Sequence, residues 1–126
     1  MILGLGTDMI EIARIEHSIA RFGDAFLHRV YTPGEIAYCR QKRKTSAESF
    51  AARFAAKEAA AKALGTGISR GVTWTELEVV RLPGQRPTMH LSGRAAEIAT
   101  RLGVRHFALS LSHTRELAIA LVIAED

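Results

Sequence analysis

Disulfide bonds are excluded first, because the chain has a single cysteine, Cys39. A lone thiol cannot staple a fold, so stability must come from packing, and a reducing cytoplasm is the expected location. Aromatic residues are also scarce, at 6%. Nowhere do they alternate with basic residues as in the stacking platforms of single-strand binders, so nucleic acid is not an expected partner. Long hydrophobic runs are missing as well. The most apolar opening, MILGLGTDMIEI, is broken by Asp8 and Glu11, well short of the about 18 apolar residues a membrane span needs. The same opening carries no basic stretch ahead of its apolar residues, so no secretory signal is expected there. Repeats, low-complexity tracts and linkers are absent, and residues 1–126 read as one domain.

Hydrophobic residues make up 48% of the chain, enough for a substantial core, and charged residues an ordinary 24%. The net charge of +4 and pI of about 9.7 point to an anionic partner. Charge alone does not choose among nucleic acid, phosphorylated small molecules and acidic proteins.

Residues 2–7 read as a short strand with glycines allowing close approach of a neighbour. Asp8 then opens a helical pattern in which Ile12, Ile15, Ile19 and Phe22 recur at three- and four-residue steps, ended by Gly23. Residues 25–30 form a further helical turn. Thr32-Pro33-Gly34-Glu35 is a strong helix start, with a capping threonine, an early proline and a glutamate completing the box. Thr45-Ser46-Ala47-Glu48 repeats the signal and opens the longest helix, to Leu64, stopped by Gly65. Residues 76–82 and 88–91 read as strands around the turn PGQRP, residues 93–102 as a helix, and residues 106–113 and 117–124 as a hairpin. This order predicts an α+β domain, an antiparallel sheet with a long packed helix.

The long helix contains FAAKEAAAKALGTG, in which eight of fourteen residues are alanine or glycine. Phe50, Phe54, Ala61 and Leu64 share one stripe with Lys57 in its middle, while Ala52, Ala56, Ala59 and Ala63 form a second. Glu58 and Lys62 fall between the stripes, four residues apart. Spacing alone makes them a solvent-facing ion pair worth a few tenths of a kcal/mol. Lys57 can equally snorkel past the aromatic rings. Asp8-Met9-Ile10-Glu11 is itself a capping box, Ser112-His113-Thr114-Arg115 has the chemistry of a turn, and Arg40-Gln41-Lys42-Arg43-Lys44 that of a solvated loop.

Taken together and in order, these segments resemble the holo-acyl-carrier-protein synthase family, the small bacterial class of 4'-phosphopantetheinyl transferases. Gly6-Thr7-Asp8-Met9-Ile10-Glu11-Ile12-Ala13-Arg14 is similar to its G-x-D-x-x-x-x-x-R opening. Arg53-Phe54-Ala55-Ala56-Lys57-Glu58-Ala59-Ala60-Ala61-Lys62 is similar to its R-F-A-x-K-E-A-x-x-K signature, the specific one, and Ser110-Leu111-Ser112-His113 to its S-x-S-H. No charged motif position departs from the pattern.

The resemblance implies transfer of the phosphopantetheine arm of coenzyme A to a serine of apo-acyl carrier protein, releasing adenosine 3',5'-bisphosphate, in support of fatty acid biosynthesis. It implies magnesium on Asp8 and Glu58, with Lys62 beside the leaving phosphate and Glu58 also in reach of the serine proton. It assigns Arg53, Lys57, Lys62, Gly65 and His113 to the coenzyme A pocket, with Gly67 also lending close backbone approach. Arg14 and Arg21, seven residues apart on one helix face, are implied to grip the acidic carrier protein, with Phe22, Phe26 and Arg29 as additions. A homotrimer with active sites between subunits is the implied assembly. Two rivals stand beside this: a non-catalytic basic module binding nucleotides or nucleic acid through RQKRK, and a purely structural trimer.

Overall fold

Gly4 and Gly6 set how closely the first strand approaches the long helix. A Cβ at either would collide with a helix carbonyl, that of Ala63 or Ala59. The computed structural model describes residues Met1–Asp126. Its elements run β1 (Ile2–Glu11), α1 (Ile12–Phe22), α2 (Asp24–Val30), α3 (Pro33–Gln41), α4 (Ser46–Ala63), β2 (Leu77–Val80), β3 (Thr88–Leu91), α5 (Gly93–Leu102), β4 (His106–His113) and β5 (Leu117–Glu125). Single 3-10 turns occupy Arg43–Thr45 and Trp74–Glu76. One antiparallel sheet has the order β1-β5-β4, and β2 and β3 form a separate antiparallel pair. The α+β architecture with a long packed helix is as the sequence predicts.

Helix α4 is the axis of the domain. Eleven of its residues are buried, including eight of its alanines, so it is enclosed nearly all round rather than along two stripes. Alanine suits this position because it removes side-chain bulk at no cost in helix propensity. Against one side lie Ala118, Ala120, Val122 and Ala124 of β5, all fully buried. Phe50 packs under Tyr31, whose hydroxyl donates to the Phe50 carbonyl at 2.7 Å.

Two of the three expected capping boxes do not form. Strand β1 runs on past Asp8, because residues Asp8 to Glu11 pair with Ala120 to Leu117 of β5 and Ile12 N–H continues to Glu116 O at 2.8 Å. Sheet pairing satisfies these backbone groups, and α1 starts only at Ile12, with no side-chain cap. Asp8 therefore lies on the helix-facing side of a strand, in line with Gly4 and Gly6. At α4 the Thr45 hydroxyl turns back to Lys42 O instead of capping. The box at Thr32 and Glu35 does form.

The opposite face of the β1-β5-β4 sheet is apolar and open. Leu5 and Met9 of β1 and Ile119 and Leu121 of β5 are 62%, 60%, 41% and 40% exposed. No helix is long and apolar enough to cross a membrane.

Candidate active site

The charged residues of α4 go three different ways. Lys57 points inward and is fully buried: its Nζ lies 2.6 Å from Glu35 Oε1 and donates to Leu77 O at 2.8 Å and Trp74 O at 3.0 Å. Burial lowers its pKa from the usual lysine value, while the Glu35 carboxylate works in the other direction. All its donors are engaged within the core, and it lines neither of the two cavities described below. Glu35 explains this. As the capping-box residue of α3 it is held over the core, where it accepts from Thr32 N and Val79 N as well. The box was legible in the sequence; its cationic partner 22 residues on was not.

Glu58 and Lys62 do face outward, but they do not pair with each other. Lys62 reaches across to β1, donating to Thr7 O at 3.0 Å and Asp8 Oδ1 at 3.2 Å. Glu58 Oε1 instead accepts from the indole Nε1 of Trp74 at 3.0 Å. Asp8, Glu58 and Lys62 thus share a strip where β1 crosses α4, half-buried at Asp8 and Glu58 and open at Lys62. At its end Gly65 and Gly67 have φ of 83° and 62° with open space around them. A side chain there would be strained, and its absence leaves backbone accessible.

Magnesium is tested by this donor set. No group of three or more His, Cys, Asp or Glu side chains forms a metal cage. The strip offers two carboxylates, each with one oxygen hydrogen-bonded to a side chain and the other free of any side-chain partner. That fits magnesium, which commonly takes one or two carboxylates and completes its shell with phosphate oxygens and water.

Arg53 and His113 sit elsewhere. They line a cavity of about 330 Å³ with Tyr38, Lys42, Arg81 and Ser112, adjoining one of about 470 Å³ that adds Arg86 and Ser110. None of Asp8, Glu58 and Lys62 lines either. Arg53 is 5% exposed, its guanidinium 3.9 Å from the Tyr38 ring centre, and its buried Nε has no partner. Burial raises the Tyr38 phenol, but Lys42 and Arg53 together bring it below its usual value. Only Glu48, with an unpaired Oε2, opposes the positive lining. Of the basic run expected as a solvated loop, Arg40 pairs with Asp24 and Lys42 turns into this cavity. Arg81, just before the PGQRP turn, gave no sequence signal.

On α1 and α2, Arg14, Arg21 and Arg29 are exposed and Phe26 half-buried. Ile12 and Ile15 bury the stripe of α1, whereas Phe22 leaves it and is 56% exposed, with Arg21 over its ring at 5.3 Å.

The chain belongs to the 4'-phosphopantetheinyl transferase superfamily, whose family model matches residues 4–122. Within it, the chain is 59% identical to the holo-[acyl-carrier-protein] synthase of Koribacter versatilis, with both proteins covered in full. The fold is similar to the crystal structure of the Neisseria meningitidis holo-[acyl-carrier-protein] synthase, with TM-score 0.88, 35% identity and both chains fully covered. It is likewise similar to the Helicobacter pylori enzyme in complex with coenzyme A, at TM-score 0.84 and 34% identity over 96% of this chain and 99% of that one. Membership in an enzyme family sets aside the readings as a non-catalytic basic module or a purely structural trimer.

Proposed function

We propose that this protein transfers the 4'-phosphopantetheine arm of coenzyme A to a serine hydroxyl of an acidic acyl carrier protein, with magnesium, releasing adenosine 3',5'-bisphosphate. The observation that carries the reading is the meeting of Asp8, Glu58 and Lys62 where β1 crosses α4. Magnesium held by Asp8 and Glu58 would neutralise charge on the pyrophosphate linkage. Lys62 places a point charge next to the same carboxylate, where the leaving phosphate gathers charge. Such transfer depends mostly on positioning and charge neutralisation. Besides holding the ion, Glu58 would help take up the serine proton, through water where its free oxygen is on the metal.

Arg53 and His113, with the positive cavity around them, are assigned to the adenosine 3'-phosphate end of coenzyme A. Their separation from the carboxylates within one chain supports a site completed by a neighbouring copy. The open apolar face of Leu5, Met9, Ile119 and Leu121 supports the same view, since exposed apolar patches of this kind mark interfaces. We assign a homotrimer, the assembly the family resemblance implies. Arg14, Arg21, Phe22, Phe26 and Arg29 form the carrier-protein face. The product serves fatty acid biosynthesis in the cytoplasm.

The test is mass spectrometry of an apo-acyl carrier protein incubated with coenzyme A, magnesium and this protein. A mass gain of one phosphopantetheine, abolished by chelation of magnesium, is expected. An unmodified carrier protein under saturating substrates overturns the reading.

A further inference from the structure

Trp74 is the chain's only tryptophan, and it is tied to two consecutive residues of α4. Its carbonyl accepts from the buried Lys57 Nζ at 3.0 Å, and its indole N–H donates to Glu58 Oε1 at 3.0 Å. Phe54, one turn earlier, stacks with the ring at 6.1 Å and 30°, and Arg29 lies over it at 5.8 Å. The backbone is thus pinned from inside the core while the ring is clamped at the surface. We infer that Trp74 is a positioning residue that sets the Glu58 carboxylate for magnesium; this rests on the role proposed above for Glu58.

The chemistry of the contact supports the assignment. A glutamate on a helix surface explores several rotamers, and ordering it on ion binding costs free energy. An indole N–H is a donor only, so it fixes the carboxylate without competing for the cation. It engages Oε1 and leaves Oε2 for the ion. Lys62, the neighbour expected to hold Glu58, is committed to Asp8 and Thr7 instead, which leaves Trp74 as the side chain that orients it. Partners of metal-binding carboxylates commonly contribute ten- to a hundredfold in metal affinity or activity.

Trp74→Phe keeps an aromatic ring against Phe54 and removes the N–H together with the pyrrole half of the indole. The magnesium concentration for half-maximal turnover should rise about tenfold, with turnover at saturating magnesium within about twofold of wild type. Calorimetric titration of magnesium into the protein with coenzyme A should weaken by the same factor. Unchanged half-saturation overturns the proposal. A second reading uses the wild-type indole itself: in metal-free protein, Glu58→Gln should shift Trp74 emission, and an identical spectrum overturns the proposal even if Trp74→Phe does not fold. If Glu58→Gln keeps full activity, the role of Glu58 has failed; if it is inactive and Trp74→Phe keeps its magnesium dependence, only the positioning role has.

Discussion

Lys57 and Glu35 form an ion pair of 2.6 Å with both side chains fully buried, joining the N-terminus of α3 to the middle of α4. Removing one partner of such a pair leaves an uncompensated charge in the core and costs about 3–5 kcal/mol. Lys57→Met should therefore destabilise the protein by that order in urea unfolding. Combining it with Glu35→Gln should cost less than the sum of the single changes, because no charge remains alone. A stable Lys57→Met protein with a raised KM for coenzyme A would place Lys57 in the substrate pocket.

Lys62 is more than half exposed, so its ion pair with Asp8 is worth about 0–1 kcal/mol. Lys62→Ala should melt close to wild type. If the ammonium steadies charge on the leaving phosphate, turnover falls by about a hundredfold or more, the scale for losing one transition-state donor. Lys62→Arg should recover little, since a planar fork does not reproduce a point charge. Melting curves and initial rates on the two variants decide between a catalytic and a solvent role.

Asp8→Asn and Glu58→Gln should each fold and lose most activity, because neutral amides hold magnesium poorly. Rates should be taken across a magnesium titration, since excess ion can rescue weakened binding. Near wild-type rates in both variants would remove the metal assignment.

A shared site has a direct test in coexpressed chains. Glu58→Gln and His113→Ala should each be nearly inactive alone. Mixed oligomers bring an intact carboxylate strip from one chain to an intact His113 from another, so turnover should reappear. No recovery in verified mixed oligomers would place the whole site within one subunit.

Arg14→Glu should weaken use of the acidic carrier protein far more than binding of coenzyme A, because charge complementarity acts at the protein interface. Raising salt should weaken the wild-type complex in the same sense. Steady-state KM values for the two substrates check this, and equal losses would locate the damage in the pocket or the fold.

The two tyrosines should titrate on opposite sides of their usual value of 10.0. Burial pushes Tyr31 well above it, whereas Lys42 and Arg53 bring Tyr38 below it despite the opposing effect of burial. Ultraviolet titration should show one early phenolate step, missing in Tyr38→Phe. Above pH 10 the unfolded chain releases the Tyr31 proton and the folded chain keeps it, so this group lowers stability as pH rises there. Tyr31→Phe should flatten that loss in melts between about pH 9 and 11.

Local pattern determined much of this protein. The span of α5, the strand Thr88–Leu91, the capping box at Thr32 and the closely packed alanine helix all follow from neighbours a few residues away. So does the presence of Glu58 and Lys62 on one outward strip. Partners across the fold were decided only by packing. Asp8 and Glu11 have the spacing of a helix cap, but pairing with β5 holds them in a strand, and that is what turns Asp8 toward Lys62. Lys57 reads as a stripe residue free to reach solvent until Glu35 and two carbonyls close around it. Glu58 and Lys62 have the spacing of a pair, yet each finds a partner from a distant segment. Periodicity says which side of an element a residue occupies; which of several competing hydrogen bonds forms is settled only when the elements meet.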